Sequence, residues 1–409
     1  MGMHQMNERE YLRELAKKQL EIANLPIMKE RERRWYRHNA MHGDHPMVVM
    51  EEDSFLQDIL PMPKCQSEIG IRIENKINQN IVVHELIDDD KVIPDFFDIN
   101  PKIDVKLFDL ERTRIHAQGS IGFHDEIIIE DLEHDFDKLK PSVFTYDKES
   151  TLHFVQEAEE LIGDILPLKW KNSNMRWECN LTVKIVEIMG MENMFCAMFD
   201  YPEKFHELMA FARDDIIRFI RWQEEKGLLY LNNGNDYMGS GSYCFNNELT
   251  DSGETVVSAD LWGHFNSQES VGLSPAMYGE FIFPYYQDLA KEFGLLYYGC
   301  CEPVHDIYEP YLSKIPNLRK VSVSPWCDEQ IIAGQLRGSK TIYSRKPSPN
   351  FLGVEKHFDE QAFRDYIKKT HDLTHGMPTE FIFRDIYTLC GDISKAKKAI
   401  EIVRDVTTS

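Results

Sequence analysis

The sequence predicts an α/β protein: a (β/α)8 barrel of the TIM type over residues 146–409, preceded by an α+β extension over residues 1–145. Three observations predict it. From about residue 150 short apolar runs alternate with helical patterns, as βαβ units and a parallel sheet require. The runs are continuously apolar, as strands buried on both faces are. The span that carries them is close to the ~250 residues usual for such a barrel. An open doubly wound sheet competes, but no G-x-G-x-x-G follows a strand, so a dinucleotide fold gains no support.

The elements follow in order. Residues 7–36 are charged, with Leu12, Leu15, Leu20 and Ile22 spaced among the charges, which predicts one or two amphipathic surface helices. Between about 45 and 125, Ile69-Gly-Ile-Arg-Ile73, Ile81-Val-Val83 and Val105-Lys-Leu107 read as short β-type runs. Asp200-Tyr-Pro-Glu203 opens a helix, with Asp as N-cap and Pro just inside, and Gly227 closes it. Leu228–Leu231 and Val256–Ala259 follow as strands. Ser274-Pro275 begins a helical stretch that ends at Gly294. Strands at Leu295–Tyr298, Val321–Val323, Thr341–Tyr343 and Glu380–Phe383 then alternate with helices from about 306, 328, 359 and 394.

Charge and composition narrow the function. The chain of 409 residues has a formal net charge of −23 and no long Lys/Arg run. Nucleic acid and anionic membranes both need concentrated positive charge, so neither is an expected partner. The charged start has no apolar core of a signal peptide, and no stretch reaches the ~18–20 apolar residues that span a bilayer. A cytoplasmic protein is expected, and in that compartment the eight cysteines are expected to be reduced. Cys65, Cys179, Cys196 and Cys244 have ordinary neighbours and read as buried small hydrophobes.

The positional signal lies at the strand ends. Six predicted strands in a row end in residues capable of chemistry: Asn232-Asn-Gly-Asn-Asp236, Asp260-Leu-Trp262 with Gln268-Glu269 beyond, Gly299-Cys-Cys-Glu302, Ser324-Pro-Trp-Cys-Asp328, Ser344-Arg-Lys346, and Asp385 with Tyr387 and Cys390-Gly391. A barrel gathers such ends at one mouth, where active sites of this fold sit. Thiols follow three strands: Cys300 and Cys301, Cys327, and Cys390. Zn²⁺ accepts thiolate readily and a catalytic zinc keeps one position open, so these four are metal-ligand candidates; packed, unligated thiols are the plainer alternative. Glu302 and Asp328 could supply oxygen. Arg345 and Lys346 form a positive spot suited to a carboxylate or anion, or to nearby acids. Asp236, Asp385 and Glu302 are candidates for acid–base work, and Asn233, Asn235, Trp262, Gln268, Glu269 and Trp326 for lining a substrate pocket. His305 reads as a surface residue at a helix start.

The stretch from Asp260-Leu-Trp through Ser274-Pro275, Pro284-Tyr-Tyr, Gly299-Cys-Cys-Glu-Pro303 and Cys390-Gly391 resembles the uroporphyrinogen decarboxylase superfamily, and more particularly its branch related to corrinoid-dependent methyltransferases. The resemblance covers about 150–409. It implies a zinc site made by a His-x-Cys pair after one strand and a Cys near the last. Cys300 or Cys301 matches the first Cys and Cys390 the last, while Tyr298 or Gly299 stands where the His would be. A third ligand would then come from Cys327, Asp328, Glu302, Glu269 or the neighbouring Cys.

The resemblance implies a zinc-dependent methyltransferase moving a methyl group between a small methylated compound, such as an O-methyl ether, and a corrinoid protein, in either direction. The cobalamin would arrive on that partner, since the chain lacks a D-x-H-x-x-G pattern. A metal-independent decarboxylase or lyase, with Arg345 and Lys346 holding a carboxylate, is the alternative. The Arg-rich tetrapyrrole-binding motif of the true decarboxylases is missing. A non-enzymatic corrinoid or tetrapyrrole binder is the third. The extension is left as a lid or a homodimer surface.

Overall fold

A computed structural model describes residues 7–408 except 117–122, 173, 174, 176, 251, 252, 254 and 355. Its centre is a six-stranded, all-parallel sheet. The strands are β1 (Met47–Met50), β2 (Trp262–Phe265), β3 (Leu295–Tyr298), β4 (Leu318–Val323), β5 (Ile342–Arg345) and β6 (Thr379–Phe383). Their spatial order is β1-β6-β5-β4-β3-β2. Parallel neighbours require crossover connections, and helices supply them between β3 and β6. Every residue of β1, β2, β3, β5 and β6 is buried, including the polar His264, Ser344, Arg345 and Glu380; of these strands, β3 and the apolar stretches of β5 and β6 are the parts that read as strands in the sequence.

The sheet takes β1 from the first 145 residues, at Met47–Met50, which is not among the β-type runs expected there. β1 pairs with β6 in register from Met47 opposite Glu380 to Met50 opposite Phe383. Asp89 and Asp90 hold its other edge, accepting from the N–H groups of Met50 (2.9 Å) and Val48 (2.8 Å). A buried network ties the N-terminal helices to the same strands. Glu380 accepts from Lys320 (3.1 Å) and Ser242 (3.0 Å) and lies 3.1 Å from His38 Nε2.

Three local expectations are corrected. Ile69–Ile73 and Ile81–Val83 are not strands but belong to a helix, Glu68–Val82, that runs on into one π turn. Ser67 caps this helix, and Ile73, Ile77 and Ile81 recur on one buried face. The strands expected at Leu228–Leu231 and Val256–Ala259 form no ladder. Beside β2 the Asn232 side chain takes the place of a strand edge, accepting from Trp262 N–H (2.9 Å) and donating to Trp262 C=O (3.0 Å). Ser258–Asp260 is a 3₁₀ turn closed by Asp260 on Val257 N–H (3.0 Å), so the strand begins only at Trp262. Asp200 ends the helix Leu181–Asp200 instead of capping the next, which starts at Pro202, because Tyr201 N–H still bonds Ala197 C=O.

The remaining helix starts follow the sequence. Ser274 caps Pro275–Phe281, Asp328 caps Glu329–Leu336 and Asp359 caps Glu360–Thr374. Gly227 closes Pro202–Lys226 in the left-handed region at φ +64°. Of the four cysteines expected to be buried, Cys65, Cys179 and Cys244 are, whereas Cys196 is exposed. Met194, Ala197 and Met198 face the core from the same helix and leave Cys196 on the outer side. Among the described residues no helix is long and apolar enough to cross a membrane.

Candidate active site

The C-terminal ends of β1, β3 and β6 meet at one cluster. β3 runs into Gly299, whose φ of +99° is costly for any other residue and turns the chain so that Cys300 faces inward. The turn is pinned on all sides: Ser240 Oγ donates to Gly299 C=O (2.7 Å) and Ser322 Oγ to Cys300 C=O (2.7 Å). Glu302 accepts from Cys300 N–H (2.8 Å) and Ser267 N–H (2.9 Å). Arg384, the first residue after β6, places Nη1 3.2 Å from Cys300 Sγ. Glu51, the first after β1, fixes that guanidinium by an ion pair at 2.5 Å and accepts from Tyr237 OH.

Cys301 projects to the surface. Its sulfur lies 3.6 Å from that of Cys300, and its S–H donates to Asp385 Oδ2 at 3.3 Å. Asp385 sits at a φ of +58°, in the left-handed region that Asp adopts more readily than most residues other than glycine. The two thiols are driven apart in acidity. The Cys301 hydrogen bond and then the Arg384 charge bring the Cys300 thiol down to about 6, against burial. Cys301 moves up, because an anionic Cys300, burial and Asp385 all oppose a second negative charge. Burial, then the Cys300 charge, lift the Glu302 carboxyl to about 7. Arg384 beside one sulfur and Asp385 beside the other favour negative charge on Cys300 and the proton on Cys301.

A polar cavity of about 200 Å³ lies on the other side of the Glu51 wall. Asn235, Asp236, Trp262, His264 and Tyr237 line it. Asp236 is ion-paired to Lys171 at 2.6 Å, and the Asn235 amide donates to Val92 C=O (2.8 Å). Asn172, also in the lining, has both amide atoms buried without a hydrogen-bond partner. His264 packs edge-on to Trp177 and Tyr297 and touches Gly299 C=O, so this wall abuts the thiol cluster.

The structure thus gathers Cys300, Cys301 and Asp385 in one place, with Glu302 beneath them, and Asp236, Asn235 and Trp262 in the adjoining cavity. Lys346 also lies near the cluster, close enough for its charge to act with those of Arg384, Cys300 and Glu51. It is buried on Tyr297 OH (2.5 Å) and Ser344 Oγ (3.0 Å), and burial brings its ammonium down to about 7. The other candidates lie elsewhere. Arg345 is 1% exposed and spent on Glu329 (3.0 Å), Ser324 C=O (2.7 Å) and Tyr366 OH (2.6 Å). Asn233 donates to Leu249 C=O (2.8 Å). Glu269 accepts from Thr182 Oγ1 (2.7 Å) in a shallow depression that Gln268 shares. Trp326 stands 65% exposed. His305 begins a short helix and accepts from Asp328 N–H (3.4 Å).

The four thiols do not assemble. Cys327 is buried and accepts from Val304 N–H (3.3 Å), while Cys390 donates to Gly353 C=O (3.6 Å). Among the described residues no three His, Cys, Asp or Glu side chains are arranged to hold a metal ion. Arg384, in contact with Cys300, already supplies the positive charge that a zinc would bring to that sulfur. As arranged, these residues do not fit the zinc site that the resemblance implies. Sequence reasoning overlooks Arg384, Glu51, Lys171, Asn172 and His264. Glu51 and Arg384 each directly follow an apolar strand, which is the signal that could have found them.

One of the solved structures that match is a methyltransferase from Methanosarcina mazei, with a TM-score of 0.51 and 11% identity over 92% of this chain and 98% of that one. The likeness is one of fold. No family model matches the chain, and no curated protein matches it. The shared fold spans the N-terminal region as well as the residues around β2 to β6, since nearly the whole of both chains is aligned.

Proposed function

We propose that this protein is a methyltransferase on a (β/α)-barrel scaffold, moving a methyl group between a small methylated compound and a corrinoid protein, with Cys300 as the residue that receives the methyl. The observation that carries the reading is the Cys300 sulfur held 3.2 Å from the Arg384 guanidinium at the end of β3, a contact that favours the thiolate. An ionised sulfur is the strongest nucleophile a side chain offers to saturated carbon. As Cys300 Sγ bonds to the methyl carbon, the bond between that carbon and the donor atom breaks and its electron pair leaves on the donor. Glu302 holds the Cys300 backbone in place for the attack, and Arg384 keeps the sulfur ionised. The adjoining cavity, with the free Asn172 amide and the Asp236–Lys171 pair, takes the polar remainder of the substrate.

The partner's corrinoid would supply the cobalt that takes the methyl group or gives it. Large side chains left exposed after β4 and β6, Trp326 and Tyr387, support a macromolecular partner at this end of the sheet. The methyltransferase fold likeness supports the reaction class. Arg345, which the decarboxylase reading uses as a carboxylate clamp, is turned inward onto Glu329.

The test supplies O-, N- and S-methylated compounds with a reduced corrinoid protein and follows methylcorrinoid by absorbance. Turnover with at least one donor class is expected, and Cys300→Ala should lower it on the order of 10³-fold or more, as loss of a nucleophile does. Undiminished turnover in Cys300→Ala would overturn the assignment.

A further inference from the structure

The reaction proposed above uses the Cys300 sulfur and leaves its neighbour without a part. We propose that Cys300 and Cys301 form a reversible oxidation site for hydroperoxides, closing to a disulfide between adjacent residues. The two sulfur atoms are 3.6 Å apart. One is buried against a guanidinium and the other is exposed, with its proton already directed at a carboxylate. These are the parts of a peroxide-reactive thiol and its resolving partner.

The chemistry balances in two steps. Cys300 Sγ attacks a peroxide oxygen. The S–O bond forms, the O–O bond breaks, and the departing oxygen leaves as water or an alcohol after taking a proton from solvent. Sulfur is oxidised and the peroxide reduced. Cys301 Sγ then attacks the sulfenic sulfur and its proton passes to Asp385 Oδ2. The S–S bond forms and the S–O bond breaks, releasing hydroxide that leaves as water. Two thiols and one hydroperoxide give one disulfide, one water and one alcohol, or a second water when the oxidant is hydrogen peroxide.

The geometry also explains why the bond would be reversible. Closing it needs the sulfurs to approach to about 2.05 Å, and the exposed Cys301 side chain can turn to do so. Neighbouring Cα atoms lie ~3.8 Å apart across a trans peptide, less than the ~4.4–6.8 Å that an unstrained disulfide spans. Strain of this kind makes a disulfide easily reduced. On the reading of Cys300 as methyl acceptor, the oxidised form has no nucleophile and is inactive; the oxidation site itself stands without that reading.

The experiment treats the full chain with hydrogen peroxide, blocks free thiols, and measures the masses of the peptides. The peptide carrying Cys300 and Cys301 is expected to lose two hydrogens and regain them with a dithiol reductant. In Cys301→Ser, Cys300 should go on to the sulfinic acid, so that recovery after reduction falls on the order of tenfold. Exposed Cys196 is the internal control for an ordinary thiol. Sulfinic Cys300 in the unaltered protein as abundant as in Cys301→Ser, or a pair oxidised no faster than Cys196, would overturn the proposal. The readout is a mass, so a failure of methyl transfer leaves it intact and its failure leaves methyl transfer intact.

Discussion

Replacing Arg384 by glutamine should return Cys300 toward the behaviour of an ordinary thiol. The guanidinium nitrogen lies 3.2 Å from the sulfur, and both groups are largely buried. Two opposite charges about 4 Å apart attract by roughly 4 kcal/mol at an effective dielectric constant of about 20. One pH unit is worth about 1.4 kcal/mol, so the ceiling on the shift is about 3 units. The Cys301 hydrogen bond persists in the variant, and water can enter the space left by the side chain, so a rise of about 1–2 units is expected. The sign is that of a thiol: reactivity is lost as pH falls through the thiol's own value, about 6 in the unaltered protein. Removing the cation moves that loss upward. Alkylation by iodoacetamide, followed at the Cys300 peptide as a function of pH, measures it, because only the thiolate reacts. Glu51→Gln is the companion variant; it frees Arg384 from its carboxylate and should leave the midpoint where it is or lower it. An Arg384→Gln midpoint equal to that of the unaltered protein would refute Arg384 as the charge that ionises Cys300.

Lys320→Met strands the Glu380 carboxylate in the core and should cost about 3–5 kcal/mol in thermal or urea unfolding, most of it recovered when Glu380→Gln is added. Lys346→Met should raise the melting temperature more at pH ~6 than at pH ~9. Between about 7 and about 10.4 the unfolded chain binds a proton that the folded one does not, so this lysine's penalty is full below about 7 and fades as pH rises. Gly239→Ala should destabilise by about 1–3 kcal/mol and disturb the cavity wall, because its Cβ would meet the His264 ring at 2.4 Å. Asn172→Ala should raise KM with little change in stability, since its amide has no partner within the protein to lose.

Much of the sheet was legible because β3 is a continuous apolar run and β5 and β6 carry the apolar stretches Ile342-Tyr343 and Phe381-Ile-Phe383, as strands buried on both faces do. β1 was not: Met47–Met50 is a short apolar run, followed by no helical crossover, and its partner lies at the far end of the chain. The helix around Ile73 misleads because Ile69, Ile71 and Ile73 alternate, and only the recurrence at Ile77 and Ile81 reveals the helical period. At the site, residue types placed Cys300, Cys301 and Asp385 on converging strand ends, and they do meet. The partners of the thiols were not legible. Left-handed backbone at Asp385 and Cys390 redirects the last loop, taking the Cys390 sulfur to Gly353 and leaving Arg384 beside Cys300. Backbone turns of that kind in non-glycine residues carry no reliable mark in a sequence.

The most direct measurement follows the Cys300 peptide by mass while the protein is held with a methyl donor and no acceptor. The account predicts one methyl in place of one hydrogen on Cys300 alone, removed when reduced corrinoid protein is added. Turnover that proceeds while Cys300 never carries the added methyl would contradict it.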